Sequence, residues 1–371
     1  MTETAGTTSG RLTSLDTLRG FDMLFIMGFT GFLTQFLTAL GCRAPWLETQ
    51  FQHVAWHGLR FEDTIFPLFL FLAGVSWPFS LASARGKGRT DGQIHRKILF
   101  RMAALVLLGW IHDNILQFDW EHQRLASVIG RIGIAWAVAA FLYMHTRVRT
   151  QVALAALFLV GYWALIRFVP NPDAVIPPGM TPLSCRDYCI CGYMDRTFLT
   201  VCKPGFDGGA FATLGMPVTA MFGALTGWWL RREGLGEGRK TLAMFAAAAA
   251  LAVLAVLWLP WCPNIKAIWT PTYALVAGSI ALALLALFHW LVDVKGWRAW
   301  AYFGVVIGMN AITIYMLQKF VSFPAMSKFF FGGVASLCSP DVGKVVLAAG
   351  RVAIVWLLLL FFARKRIFLK V

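Results

Sequence analysis

Long apolar runs separated by short polar segments dominate the pattern of this chain. A run of about 20 apolar residues is long enough to cross a bilayer as an α-helix. The chain holds ten such runs, at roughly 18–40, 61–84, 97–112, 125–144, 150–169, 209–230, 241–259, 271–293, 299–319 and 343–363. The pattern therefore predicts an all-α fold, a polytopic membrane bundle of about ten transmembrane helices.

The composition agrees with a membrane protein. Of 371 residues, 58% are hydrophobic and 14% are charged, whereas roughly a quarter of the residues in soluble domains are charged. The start of the chain lacks the charged, apolar and small-residue regions of a secretory signal. We therefore expect no cleaved signal peptide and a first run that is a true span. No segment is long enough for a soluble domain, so we expect residues 1–371 to form a single transmembrane domain.

The basic residues predict the orientation. The formal net charge is +15, and Lys and Arg concentrate in short segments between runs, near 85–97, 147–149, 231–240, 295–298 and 364–370. Cytoplasmic loops carry this excess of positive charge, so we expect both termini in the cytoplasm. No platform of aromatic and basic residues accompanies the charge, so we expect no nucleic-acid partner.

The cysteines support the same orientation. All seven lie at or beyond the predicted external helix ends, and four of them fall in the external segment 170–208. An oxidising compartment permits disulfides, so we predict disulfides that staple this loop, with the odd cysteine unpaired or paired between chains. The spacing matches no common zinc pattern and no histidine lies nearby, so we expect no metal.

Ionisable residues cluster just before the second run. His53, His57, Glu62 and Asp63 lie at the mouth of this span, where such groups are costly and usually mark a reaction or transport site. The His53 imidazole can accept a proton from an amine or carry an acyl group, with Asp63 or Glu62 orienting it. The alternative is a solvated interfacial histidine beside acids that the helix dipole favours.

Buried or interfacial cations form a second group of candidates. Arg11 and Arg19 flank Asp16 where the first run meets the cytoplasm. They either serve capping and an ion pair or hold an anionic cofactor. Arg101 and Arg131 lie inside spans and must face protein or water rather than lipid.

Candidates for binding a sugar lie at the external side. Lys266 and Trp269, near the start of the eighth run, place a cation and an aromatic ring on the same side as His53 and Trp56. An aromatic ring stacks on a pyranose, although an interfacial tryptophan anchor explains the same residues. Asn310 is an amide inside the ninth run. No P-loop, dinucleotide, HExxH or GxSxG motif occurs.

Several motifs appear together in a familiar order. They are RLTSLDTLRGFDM, H-x-x-W-x-G-L-x-F-x-D-x-I-F-P-x-F-x-F from His53, RIGIAW at Arg131, GYMDR at Gly192, FDGGAFATLGMPVTAMFGALTG at Phe206, PNIKAIWT at Pro263 and GMNAITIY at Gly308. With them, nearly the whole chain resembles the heparan-α-glucosaminide N-acetyltransferase family, and in particular its bacterial members.

The resemblance implies a transmembrane acetyltransferase of a bacterial inner membrane. Such a protein takes an acetyl group from cytoplasmic acetyl-CoA, its co-substrate, and passes it to an amino sugar on the far side. The family histidine maps onto His53, with Asp63 or Glu62 in support. The candidates for the CoA end are Arg11, Arg19, Arg101 and Arg131, and those for the acceptor are Trp56, His57, Lys266, Trp269 and Asn310.

Two questions stay open at this point. The other function class is an amino-sugar transporter, against which stands the lack of two matching halves or paired broken helices. The GxxxG spacing of Gly223 and Gly227 indicates close helix packing, either within the chain or in a homodimer.

Overall fold

The computed structural model describes residues 12–42, 44–119, 125–198 and 209–369. In these residues the fold is all-α, as predicted, with only one isolated β-bridge, between Pro170 and Cys189. The helices are α1 (Thr13–Leu24), α2 (Thr30–Ala39), α3 (Pro45–Gln50), α4 (Ile65–Gly86), α5 (Asp91–His112), α6 (Val128–His145), α7 (Val148–Phe168), α8 (Ile190–Phe198), α9 (Pro217–Leu230), α10 (Glu237–Trp258), α11 (Pro271–Phe288), α12 (Ala301–Gly308), α13 (Ala311–Phe320), α14 (Phe323–Ser336) and α15 (Pro340–Arg364).

Seven helical segments in the described part of the chain are long and apolar enough to cross a membrane. An eighth span results if α12 and α13, which meet at an angle of 66°, are counted as one. The protein is therefore an integral, multi-pass membrane protein. The seven segments are Thr13–Ala39, Phe61–Gly86, Val128–His145, Val148–Phe168, Glu237–Trp258, Pro271–Val294 and Pro340–Arg364.

The prediction of ten spans is not confirmed, although a helix forms in each predicted run. Two helices that form in predicted runs, α5 and α9, are not candidate membrane spans, for different reasons. Helix α5 is 22 residues long but carries Arg96, Lys97 and Arg101, and α9 has only 14 residues because it begins at Pro217. A further helix, α14, occupies much of the predicted external segment 320–342.

Two spans are interrupted where they pack against each other. The first span changes from α1 to a π-helical turn, Phe25–Phe29, in which Gly28 has a φ of 108°. The ninth predicted run breaks at Asn310, which precedes α13. Helix α13 packs against this π-helical turn, so protein covers part of the irregular backbone, as a membrane protein requires.

The central packing pairs α4 with α9. Gly223 and Gly227 lie so close to α4 that an added Cβ atom would collide with the carbonyl oxygens of Phe71 and Val75. The GxxxG pattern is therefore used inside the chain, because only glycine allows the two backbones to approach this closely. It supplies no argument for a homodimer.

We expect Gly223→Ala to destabilise the fold by about 1–3 kcal/mol, because the methyl group overpacks the α4–α9 contact. Gly161→Ala on α7 is the matched control, since an added Cβ there meets nothing within 4 Å and alanine favours a helix. Thermal unfolding of the two variants in detergent measures the difference. Equal melting temperatures would contradict the packing role.

Candidate functional site

A cavity of about 660 Å³ lies inside the bundle. Its lining is mostly apolar, but seven of its residues have polar or charged side chains that the sequence analysis singled out. These residues are Arg19, His53, Glu62, Arg101, Arg131, Lys266 and Asn310. An apolar cavity with a few convergent polar groups is the usual form of a ligand site.

One face of the second span forms a wall of this cavity. Glu62, Ile65, Phe66, Phe69 and Ala73 all line it. They recur at intervals of three and four residues, which places them on one side of a helix. The motif after His53 therefore supplies both the ionisable cluster and the cavity wall that leads away from it.

The cavity extends far along the axis of this span. The Arg19 guanidinium contacts the carbonyl oxygen of Leu72 and the hydroxyl oxygen of Ser76 on α4. Asp63 lies thirteen positions before Ser76, which corresponds to about 20 Å of helix. Arg19 and the His53 cluster therefore lie at opposite ends of one cavity.

Asp63 organises the outer end. Its carboxylate is fully buried and accepts hydrogen bonds from the backbone N–H groups of Arg60, at 3.1 Å, and Val54, at 3.5 Å. The Tyr273 hydroxyl donates to the Asp63 carbonyl oxygen at 2.7 Å. A buried carboxylate needs such partners, and these bonds fix the turn that precedes α4.

His53, Asp63 and Lys266 form a compact cluster. The His53 Nδ1 atom lies 2.9 Å from Asp63 Oδ1, and the Lys266 Nζ atom lies 3.0 Å from His53 Nδ1 and 3.1 Å from Asp63 Oδ1. The imidazole side chain is 56% exposed. Of the two acids predicted to orient His53, Asp63 makes the hydrogen bond and Glu62 lines the cavity beside it.

The loop that carries Lys266 is rigidly held. The Asn264 carbonyl accepts the N–H of Gly58 at 2.9 Å, which joins this loop to the segment that bears His53. The Thr270 hydroxyl accepts the N–H of Ile265 at 3.0 Å. Trp269 has a φ of 51°, an uncommon value for a residue with a side chain, and its indole donates to the Thr219 hydroxyl at 3.2 Å.

Trp56 and His57 contact the chain around Leu183. The Trp56 indole N–H donates to the carbonyl oxygen of Leu183, and His57 Nε2 lies 2.9 Å from the same oxygen. Neither residue lines the cavity. They join the segment after His53 to the chain around Leu183.

The other end of the cavity is basic. Arg19 pairs with Asp16 at 3.3 Å, as the sequence predicts, and also reaches α4. The Arg101 guanidinium stacks 4.4 Å from the centre of the Trp136 ring, while its buried Nε atom has no hydrogen-bond partner. Arg131, in contrast, lies 5.3 Å from the centre of the ring of Phe66, which comes three positions after Asp63, and therefore toward the end of the cavity that holds His53. Arg11 lies outside the described residues.

Asn310 lines the cavity at the break between α12 and α13. It is 2% exposed, and its Nδ2 atom is buried without a hydrogen-bond partner. The sequence analysis found this amide but missed Tyr273, which supports Asp63. The sequence signal for Tyr273 is its position four residues after Trp269. In the structure the two rings lie 5.0 Å apart from centre to centre.

The predicted disulfides are not seen between described cysteines. Cys42, Cys185, Cys189, Cys191, Cys262 and Cys338 are all free, and Cys202 lies outside the described residues. Instead, Cys189 and Cys191 pack in an apolar cluster under the external loop, and the Tyr162 hydroxyl, 3.7 Å from Cys191 Sγ, donates to the Ile268 carbonyl at 2.6 Å. Within the described residues, no group of three metal-binding side chains occurs.

The fold and the cavity define a class: a multi-pass helical membrane protein with a deep internal site that ends at a His–Asp–Lys cluster. Comparison with known proteins narrows this class. The chain is 25% identical to heparan-alpha-glucosaminide N-acetyltransferase of Mus musculus, in an alignment that covers 85% of this chain and 54% of that protein. For the Homo sapiens protein of the same name, the values are 25%, 82% and 52%.

These alignments bear on the resemblance seen in the motifs. The chain spans about half the length of the curated relatives it matches. The two alignments support the relationship that the motif order predicts, and they cover most of this chain. No protein-family model matches the chain.

The packing under the external loop predicts unequal cysteine reactivity. Burial raises the pKa of the Cys262 thiol, and a hydrogen bond with Cys189 together with burial raises that of Cys191. Because the thiolate is the reactive form, iodoacetamide at neutral pH should modify exposed Cys42 and leave Cys262 and Cys191 intact. Mass spectrometry of the folded protein measures this. Equal modification of Cys262 and Cys42 would contradict the described packing.

Proposed function

We propose that this protein is a transmembrane acetyltransferase that moves an acetyl group from acetyl-CoA to the amine of an amino sugar. One observation carries the proposal: a single cavity joins the basic residues Arg19 and Arg101 to the His53 cluster about 20 Å away. The two relatives named N-acetyltransferases support it. In this proposal the basic end opens to the cytoplasm of a bacterial inner membrane.

The donor fits the basic end of the cavity. The CoA phosphates are anionic, and guanidinium groups bind phosphate through charge-assisted hydrogen bonds. The partnerless Nε of buried Arg101 is a donor group that such a ligand would satisfy. The apolar wall formed by Phe66, Phe69 and Ala73 suits the uncharged thioester arm, which would bring the acetyl group to His53.

The chemistry belongs to His53. With Nδ1 directed at Asp63, the Nε2 atom is the ring position that can accept a proton. The acceptor amine attacks the thioester carbonyl, a C–N bond forms and the C–S bond breaks. The amine proton passes to Nε2 and then to the departing thiolate. A two-step route through an acyl group on His53 uses the same atom as the nucleophile.

The acceptor fits the outer end. An amino sugar arrives as a cation, and Glu62 and Asp63 supply negative charge beside His53. Trp269 is 2% exposed but lines the cavity, so part of its ring can contact a sugar face. In this proposal, membrane lipid surrounds the apolar outer faces of the helices. A homodimer is a further proposal.

Sealed vesicles of known orientation test the proposal. Labelled acetyl-CoA is added on the side of Arg19 and glucosamine on the side of His53, and labelled N-acetylglucosamine is measured on the latter side. We expect His53→Ala to lower the rate by about 10²–10⁴-fold, the usual contribution of a general base. His145→Ala, at the exposed end of α6, is the control.

The outcomes separate enzyme from transporter. An undiminished rate for well-expressed His53→Ala would refute the role of this residue. Movement of unmodified amino sugar in the absence of acetyl-CoA would instead favour a transporter.

The donor end makes a separate prediction. Because a hydrogen bond to a charged group contributes about 1.5–3 kcal/mol, Arg101→Met should weaken acetyl-CoA binding by about tenfold or more. Arg167→Met is the control, since Arg167 lies at the last turn of α7 beside Phe168 and does not line the cavity. Equilibrium binding of labelled acetyl-CoA measures both. Equal affinity for the two variants would place the phosphates elsewhere.

A further inference from the structure

The cluster at the outer end contains more contacts than its hydrogen atoms can satisfy in one arrangement. Lys266 Nζ, His53 Nδ1 and Asp63 Oδ1 lie 2.9–3.1 Å from one another. An ammonium group is only a donor, and a carboxylate is only an acceptor. A ring nitrogen carries either a hydrogen or a lone pair, so His53 Nδ1 cannot donate to Asp63 and accept from Lys266 at once.

The position of Lys266 therefore decides where the imidazole proton lies. While the ammonium donates to Nδ1, the neutral ring must carry its hydrogen on Nε2. If the proton passes from Lys266 to Nδ1, the resulting imidazolium still carries a hydrogen on Nε2. In both arrangements Nε2 has no lone pair, so His53 is neither a base nor a nucleophile toward the cavity.

A free Nε2 lone pair requires that Lys266 leave Nδ1. The Nδ1–H can then donate to Asp63, which is held in place by the backbone N–H groups of Arg60 and Val54. The backbone around Lys266 is fixed by the bond from Gly58 to Asn264. The flexible part is the four-carbon stem of the lysine side chain.

An alternative partner lies nearby. Glu62 lines the same cavity and interacts electrostatically with both His53 and Lys266. The Lys266 ammonium also occupies the place beside Asp63 that an incoming ammonium group would take. A cationic acceptor and Lys266 therefore compete for the same carboxylate.

We propose, as a deepening of the proposed function on which it rests, that Lys266 is a positioning residue that keeps His53 inactive until the acceptor displaces it. The substrate class that releases His53 is a cationic amine. Once bound, this amine must lose one proton to solvent before it attacks the thioester. Without an acceptor, His53 cannot activate water, so acetyl-CoA is not lost as acetate and free thiol.

The tautomer of His53 gives a readout that does not depend on activity. Protein with ¹⁵N-labelled histidine is compared by NMR for wild type, Lys266→Met and Lys266→Arg, with His53→Gln to assign the signal. We expect Nε2 to carry a hydrogen in wild type and in Lys266→Arg, because both cations hold Nδ1. In Lys266→Met the hydrogen should move to Nδ1. Lys319→Met, at the exposed end of α13, should match wild type.

A kinetic measurement on the full-length protein tests the consequence. In the absence of any amino sugar, Lys266→Met should release CoA thiol from acetyl-CoA at least about tenfold faster than wild type, since a general base is worth more than this. The double variant Lys266→Met/His53→Ala should lose the gain. Lys266→Arg should stay as slow as wild type under these conditions.

The outcomes distinguish this inference from the proposed function. A wild-type His53 whose ring carries a hydrogen on Nδ1 and none on Nε2, or an unchanged tautomer in Lys266→Met, would overturn the role of Lys266. If Lys266→Met does not fold, the wild-type and Lys266→Arg spectra still decide. If wild type transfers acetyl to no amino sugar, the proposed function fails, whereas the spectra still report on Lys266.

Discussion

The buried carboxylate of Asp63 is the interaction on which the rest of the site depends. A charge without access to water is costly unless it is paired and hydrogen-bonded, and Asp63 collects backbone N–H groups, the His53 ring and the Lys266 ammonium. These demands bring together two segments about two hundred residues apart. They also fix the turn from which the second span begins, and hence the direction of the cavity wall.

The cavity lies beside two interruptions of the bundle, and Ile26 and Asn310 at these breaks line it. The π-helical turn in the first span and the 66° break before α13 leave space beside α4. Close packing elsewhere compensates for these breaks, above all between α4 and α9, where Gly223 and Gly227 meet backbone directly. The closely packed α4–α9 pair on one side and the interrupted helices on the other enclose a deep, mostly apolar site with charged ends.

The described part of the loop after α7 makes contacts beside the site that its composition does not predict. Its cysteines suggested cross-links, but the described ones, Cys185, Cys189 and Cys191, are free, and the last two are buried. The loop instead binds the site through the Leu183 carbonyl, which receives the Trp56 indole N–H and contacts the His57 ring. Apolar packing and these two contacts hold the segment that bears His53, so this loop takes part in positioning His53.

The sequence by itself determined the helical class and the membrane location and singled out His53 as a candidate, because hydrophobic period and ionisable residues at a span are local signals. It also identified Lys266 and Asn310 as candidates. Only the tertiary structure decided that Lys266 contacts His53 and Asp63, that Trp56 and His57 contact Leu183, and that seven or eight segments of the described residues qualify as spans. Those outcomes depend on distances between segments remote in the chain, which no local pattern encodes.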